Sequence, residues 1–268
     1  MTTDLDPASG SLHIDVWLCP YRDIADPDHI AALRALLSDA ERAQALRFHF
    51  AEDRLRYMVT RALVRTVLSR YAPVAARDWV FSANAYGRPA IANPGLAMRI
   101  GDFNVSHTRG LIALAVSTRG ALGIDLEDWQ ARPVSLDMAR DFFARPEADA
   151  LASTPPAHVQ ARFFEYWTLK ESYIKARGLG LSIPLDRFAM QLGDAHGVRM
   201  AMTSPQDDDP ARWWFGQFRP GPGYLLALCA ERPASGAPPT LGFRQTIPLR
   251  GDTDCHVTVV RTSDAAAA

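Results

Sequence analysis

Only two lysines occur among the twenty-nine basic residues, and they stand five apart at Lys170 and Lys175, within FFEYWTLKESYIKARGLGLSIPL from Phe163 to Leu185. Where arginine serves every other basic position, two lysines point to a need for a compact point charge in place of a planar fork. Ordinary surface solubility is the plainer alternative. From about His158 to Ala176 the apolar residues recur at helical spacing, with Gly178 and Gly180 as stop signals and Pro184 just beyond. On such a helix Trp167, Glu171 and Lys175 share one face as i, i+4 neighbours, and Lys170 sits beside them. A Glu-to-Lys pair in that order also steadies any exposed helix by roughly 0.2–0.5 kcal/mol, so chemistry requires a second site. Upstream, Gly123-Ile124-Asp125-Leu126-Glu127 alternates strictly. As a strand it turns Asp125 and Glu127 to one face and Ile124 and Leu126 to the other. Two carboxylates on one face repel unless a cation or water intervenes. The pair is half of a hard-metal site, and a third oxygen from Glu171 would give Mg²⁺ a carboxylate set with positions left for phosphate and water. A half-exposed edge strand, with no metal, is the alternative.

Taken together, G-I-D-L-E at Gly123 to Glu127 and W-T-L-K-E-S-Y-I-K at Trp167 to Lys175 resemble the paired signature of the 4′-phosphopantetheinyl transferases, most nearly the larger, surfactin-synthetase-activating type. The likeness extends through R-F-H-F-A-E-D from Arg47, Y-G-R-P at Tyr86 to Pro89, F-N-V-S-H at Phe103 to His107, and G-L-G-L-S-I-P-L-D after the helix. It covers roughly Leu12 to Glu231. The resemblance implies an α+β fold of two similar α/β halves forming an internal pseudo-dimer, and hence a monomer. It implies a Mg²⁺-dependent enzyme that moves 4′-phosphopantetheine from coenzyme A to a serine of an apo acyl or peptidyl carrier protein, releasing adenosine 3′,5′-bisphosphate. Carried over by position, Asp125, Glu127 and Glu171 hold the metal and Glu171 is the candidate general base. Lys175 stabilises charged phosphates, and Lys170 does the same or helps position the carrier. Ser106 and His107 face coenzyme A phosphate, and Arg88 matches the basic residue of the Y-G-K/R-P turn, where its fork can donate two parallel bonds to phosphate. Family members place basic residues against the 3′-phosphate just before the first long helix. Here those places hold Glu41 and Gln44, with Arg47 or Arg56 as the available substitutes. Fatty-acid, polyketide and nonribosomal peptide carriers are all possible acceptors. Two other classes stand beside this one: a Mg²⁺ hydrolase of a nucleotide pyrophosphate, and a non-catalytic binder of coenzyme A or of the carrier, for which intact Asp-x-Glu and K-E-x-x-x-K sets would have no purpose.

These residues need elements to position them. A strand is expected over Leu12 to Leu18 and a helix from about Asp28 to Leu37, and Ser38 with Glu41 resembles a capping box opening another helix toward Phe48. A long amphipathic helix runs from Ala51 to Tyr71, ended before Pro73. Its Arg54, Arg56, Arg61 and Arg65 could meet phosphate, although arginines on a solvated face are the commoner outcome. Strands and turns fill Trp79 to Leu126, with Phe103 to Ser106 expected as hairpin partner of the apolar run Leu111 to Val116. That run finds an echo in Leu225 to Ala230. Long helix followed by hairpins therefore occurs twice, which divides the chain into halves at 1–120 and 121–232, with an extension at 233–268. After the linker that begins at Arg232, Thr240 to Ile247 and Cys255 to Arg261 alternate as strands and could add a hairpin to the second half, and 263–268 is expected to fray.

Composition narrows the classes. Hydrophobic residues make up 48% of 268 positions, enough for a sizeable core. A net charge of −1 argues against a nucleic-acid or membrane surface spread over the chain, so any anion site is local. The opening MTTDLDPASG lacks a cationic region followed by an apolar run, and no apolar stretch is long enough to span a bilayer, which points to the cytoplasm. Cys19, Cys229 and Cys255 are odd in number and lack CxxC spacing, so neither a disulfide frame nor a zinc site is expected.

Overall fold

Ser38 and Glu41 do form a capping box: the Ser38 hydroxyl accepts from the Glu41 amide at 3.2 Å, and the Glu41 carboxylate accepts from the Ser38 amide at 2.9 Å. This fixes the start of α2 (Asp39–Leu46), which follows β1 (His13–Cys19) and α1 (Pro27–Ala35). The structure, a computed structural model, describes residues 11–95, 100–193, 196–204 and 207–264. The chain is α+β and divides into two units.

The first unit comprises Met1–Asn84, Pro89–Arg119 and Pro239–Cys255. The long amphipathic pattern becomes α3 (Ala51–Leu68). It is followed by a short hairpin, β2 (Phe81–Ala83) with β3 (Pro89–Ile91), and then by β4 (Asp102–His107) and β5 (Ile112–Ser117), the expected antiparallel pair. Val59, Leu63 and Val67 recur along one face of α3 and pack with Trp17, Phe103, Ile112 and Leu114 of the sheet.

The second unit comprises Ala85–Arg88, Gly120–Pro238 and His256–Ala268. It holds β6 (Leu122–Asp128), α4 (Leu136–Phe142), α5 (Arg145–Ala152), α6 (Pro156–Arg177), β7 (Phe188–Leu192), β8 (Val198–Met202), β9 (Trp213–Arg219) and β10 (Tyr224–Glu231). Gly178 ends α6 in the left-handed conformation, φ 65°, a backbone state that glycine adopts without strain. Helix α6 lies on β6 and β10, and its Phe164, Leu169 and Tyr173 share a core with Phe215, Ala227 and Cys229. The two echoing strings fall in β5 and β10, each an interior strand of its own sheet.

After Glu231 the chain departs from expectation. No hairpin is added to the second half. Instead β11 (Thr240–Ile247) runs parallel to β1 and pairs with β12 (Gly251–Asp254) in the first unit, while β13 (Thr258–Thr262) pairs antiparallel with β9 in the second. The physical reason is edge pairing: β5 fills one side of β1 and β10 one side of β9, and the tail satisfies the backbone groups along each remaining side. The expected fraying concerns 265–268, which lie outside the described residues. Ser263 and Asp264 are tied down, the first by its amide to the Phe215 carbonyl at 2.9 Å and the second by Arg232 at 3.2 Å. Among the described residues no helix is long and apolar enough to cross a membrane.

Candidate functional site

Gly123 sets the approach of β6 to α6. A Cβ at this position would lie 3.0 Å from the carbonyl carbon of Ser172, and closer still to its oxygen and to the Ala176 nitrogen. Only glycine lets the helix backbone rest on the strand here. Asp125 and Glu127 follow on the same face of β6 by strand alternation, and so face α6. On this edge strand Asp125 is 4% exposed and Glu127 is half-buried. From Phe163 to Ala176 every residue of α6 is buried except Trp167, Glu171 and Lys175, which are half-buried. These three are the i, i+4 stripe. The Lys175 ammonium donates to Asp125 Oδ1 at 2.6 Å, and the Trp167 indole lies near enough to Glu127 to favour its charged form.

Electrostatics at this face is dominated by crowded negative charge. Burial pushes the Glu127 carboxyl up to about 7, with the Asp125 charge adding to the rise and Arg132, Lys175 and the nearby Trp167 indole opposing it. Glu171 is raised for the same two reasons, burial first and Asp125 second, and Lys175 opposes. Trp167 stacks on Phe163, centroids 6.0 Å apart, with its indole near Glu127. Among the described residues no three His, Cys, Asp or Glu side chains converge as a ready-made metal cage.

Lys170 is not part of this face, which corrects its expected catalytic role. It is fully buried, forms an ion pair with Glu147 Oε2 at 2.6 Å, and donates to the Phe188 carbonyl at 2.5 Å with its ammonium 4.2 Å from the Phe188 ring centroid. Burial pushes Lys170 down to about 8 and Glu147 up, and their mutual attraction opposes both shifts. Glu147 also accepts from the Met190 and Ala144 amides at 2.7 and 3.0 Å. The pair thus joins α5, α6 and β7.

The remaining expected residues are placed as follows. Arg88 belongs to the second unit, and its guanidinium donates to the carbonyls of Lys175 and, at 2.8 Å, Leu122. In the first unit Ser106 is buried and His107 exposed at the end of β4. Arg47 donates to Gln44 Oε1 at 3.2 Å, and Arg56 pairs with Asp53 at 2.7 Å. Glu41 has a structural task besides capping: Arg61 and Arg65 pair with its two oxygens at 2.5 and 2.8 Å. Arg65 is itself buried and also donates to the Trp79 carbonyl at 2.9 Å, so it does not sit on a solvated face.

Comparison with known proteins fits the same two segments. Residues 121–229 match the profile described as 4′-phosphopantetheinyl transferase superfamily, and residues 25–119 match 4′-phosphopantetheinyl transferase, N-terminal. The 4′-phosphopantetheinyl transferase ffp of Bacillus subtilis is 33% identical over 201 residues, covering 75% of this chain and 85% of its own. The 4′-phosphopantetheinyl transferase Sfp of Bacillus subtilis strain 168 is 32% identical over 199 residues, 74% of this chain and 84% of its own. The 4′-phosphopantetheinyl transferase HetI of Nostoc is 38% identical over 156 residues, 56% of this chain and 63% of its own. With about a third of the aligned residues identical along most of both chains, and with one profile spanning both β6 and α6, this chain is a transferase of the 4′-phosphopantetheinyl transferase superfamily, of the larger Sfp type.

Proposed function

We propose that the protein transfers 4′-phosphopantetheine from coenzyme A to a serine of an apo acyl or peptidyl carrier protein with the help of Mg²⁺, releasing adenosine 3′,5′-bisphosphate. The observation that carries this reading is the half-buried stripe of Trp167, Glu171 and Lys175 on an otherwise buried helix stretch, with Lys175 seated on Asp125. The donor set suits a hard divalent cation. Glu127 and Glu171 are held above the usual carboxylate range by burial and by Asp125, a strain that a bound cation relieves. Mg²⁺ relies on one or two carboxylates plus substrate phosphates and water, so a complete protein cage is not required.

Asp125, Glu127 and Glu171 would hold Mg²⁺, which when bound supplies a Lewis acid and a template for the pyrophosphate. The chain's own groups do the rest. Glu171, half-buried on α6 between Trp167 and Lys175, accepts the serine proton, directly or through water. The serine oxygen bonds to the β-phosphorus of coenzyme A. The bond from that phosphorus to the oxygen that leaves with adenosine 3′,5′-bisphosphate breaks. Lys175 meets the negative charge on the phosphate oxygens with a compact ammonium held by Asp125. Ser106 and His107, with Arg47 or Arg56, are assigned to coenzyme A phosphates, and the protein acts as a monomer in the cytoplasm.

Incubation with coenzyme A, Mg²⁺ and a panel of apo-carriers, followed by weighing the carriers, tests the reading. A carrier that gains one phosphopantetheine with the wild type and none with folded Asp125→Ala supports it. Adenosine 3′,5′-bisphosphate released with no carrier gain would mark a hydrolase, and coenzyme A bound without turnover would mark a binding protein.

A further inference from the structure

The chain leaves the second unit after Pro238 and re-enters it at His256, beyond residue 229, where the match to the transferase superfamily ends. Its last strand, β13, pairs with β9 through a shift of register. Val259 stands opposite Phe218 and Arg261 opposite Gln217, with Val260 as the extra residue. Such a bulge re-aims the side chain beside it. Strand alternation turns Gln217 to the same face of β9 as Trp213 and Phe215, which share the core of α6. Gln217 is fully buried, and Arg261 is 7% exposed.

The bonds around Gln217 run in one direction. Arg261 Nε donates to Gln217 Oε1 at 3.0 Å. Gln217 Nε2 donates to the Glu165 carbonyl at 3.0 Å and to Thr168 Oγ1 at 2.9 Å. Thr168 Oγ1 in turn donates to the Phe164 carbonyl at 2.8 Å. A guanidinium has donors and no acceptor, whereas an amide has both and can be turned end for end. Arg261 therefore decides which end of Gln217 meets the helix, because the reversed amide would set oxygen against oxygen at the Glu165 carbonyl. Arg261 also forms an ion pair with Glu165 Oε2 at 2.9 Å. The anchor at Glu165 and Thr168 brackets Trp167 and lies within two turns of Glu171 on α6. Strand β6 meets the same helix at Ser172 and Ala176, through Gly123. Helix α6 is thus seated at two points along its length, and the tail supplies one of them.

We infer that Arg261 is a positioning residue for the transfer reaction: acting through Gln217, it sets how α6 sits on the sheet and with that the placement of Glu171 and Lys175. The inference deepens the proposed function and rests on it for its kinetic arm. It makes the last strand, outside the matched residues, part of the machinery.

Arg261→Met removes the donor at similar side-chain length. Its kcat should fall about 10-fold, short of the roughly 10²-fold that a 1 Å misplacement costs, while KM for coenzyme A stays within about twofold. Arg261→Lys keeps a donor without an acceptor and should recover most of the rate. Gln217→Glu stays ionised beside Arg261 and cannot donate to the helix, so it should fold and be as slow as Arg261→Met. Glu165→Gln breaks the ion pair but leaves the relay, and should keep the rate within about twofold even where its melting temperature falls. Both lysines lie on α6, so in protein labelled with ¹³C-lysine the ε-methylene signals report its placement. They should move in Arg261→Met and Gln217→Glu and stay in place in Glu165→Gln. Lower melting temperatures in the first two variants, with the rate per folded molecule and the lysine signals unchanged, would overturn the inference and make Arg261 a structural tie. An Arg261→Lys protein as slow as Arg261→Met, or a slow Glu165→Gln, would overturn the relay. If Arg261→Met does not fold, Gln217→Glu decides alone. If the wild type transfers nothing, the proposed function fails, and the lysine signals still decide whether Arg261 seats α6.

Discussion

Replacing Gly123 by alanine probes the geometry of the site without touching any charged group. The backbone at Gly123 is regular strand with no positive φ, so space alone is at issue. An added Cβ would meet helix backbone inside 3.0 Å, at the Ser172 oxygen and the Ala176 nitrogen, and backbone cannot rotate away as a side chain can. Helix α6 must then retreat by about 1 Å or more, which overpacking data price at roughly 1–3 kcal/mol. The same shift would stretch the Lys175 to Asp125 contact from 2.6 Å past hydrogen-bonding range. A misplacement of about 1 Å costs on the order of 10²-fold in rate. Gly123→Ala should therefore remain folded with a lower melting temperature and lose about two orders of magnitude in transfer, measured by carrier mass against time. Gly193→Ala is the control, since its Cβ would meet only the Gly197 carbonyl at 3.9 Å. A Gly123→Ala protein that melts and transfers like the wild type would refute the close-approach reasoning.

Three further outcomes follow from the same contacts. Because the Glu127 carboxyl rises from 4.5 to about 7 on folding, its contribution is fully present below pH ~4.5 and is lost as pH climbs through ~7, on the order of 3 kcal/mol. In EDTA the melting temperature should fall over that window, and Mg²⁺ should restore it near pH 8 but not near pH 5; a flat EDTA profile counts against the crowded-carboxylate picture. Lys175→Ala should lose about 10²–10³ in kcat with Arg recovering only part, and a normal rate in folded Lys175→Ala would remove that residue from the chemistry. Lys170→Met strands buried Glu147, so denaturant melts should show a loss of about 3–5 kcal/mol with the rate per folded molecule kept, whereas a wild-type melt would dismiss the buried pair.

What could be read from the sequence was whatever depends on local period. Alternation in Gly123 to Glu127 gave a strand, spacing gave α6, and Ser38 with Glu41 gave a cap. What escaped depends on partners far along the chain. Glu41 stands where the family carries a basic residue. Its charge is used by Arg61 and Arg65, about three and four turns into a helix that on its own looks solvated. The tail strands alternate visibly, but alternation carries no information about which sheet edge lies open to receive them. Helices α4 and α5 are seven and eight residues long, too short for their period to announce them.

Lys170 shows the boundary between the two kinds of information most sharply. Five residues of α-helix turn through about 140° beyond a full circle, so Lys170 and Lys175 cannot share a face, whereas Trp167, Glu171 and Lys175 each differ by about 40° and can. That much was available from numbering alone. Which of the two lysines faces the carboxylates of β6 was not, because the answer lies in α5 and β7: Glu147 and the Phe188 carbonyl offer Lys170 a complete set of partners inside the core. Both lysines serve as compact cations beside a carboxylate, one as a permanent tie among three elements and one at an opening. The difference between them is exposure. Lys170 is sealed at 0% while Lys175 keeps 27% of its side chain accessible, so under the proposed function Lys175 is the ammonium of the two that can exchange its carboxylate for a phosphate.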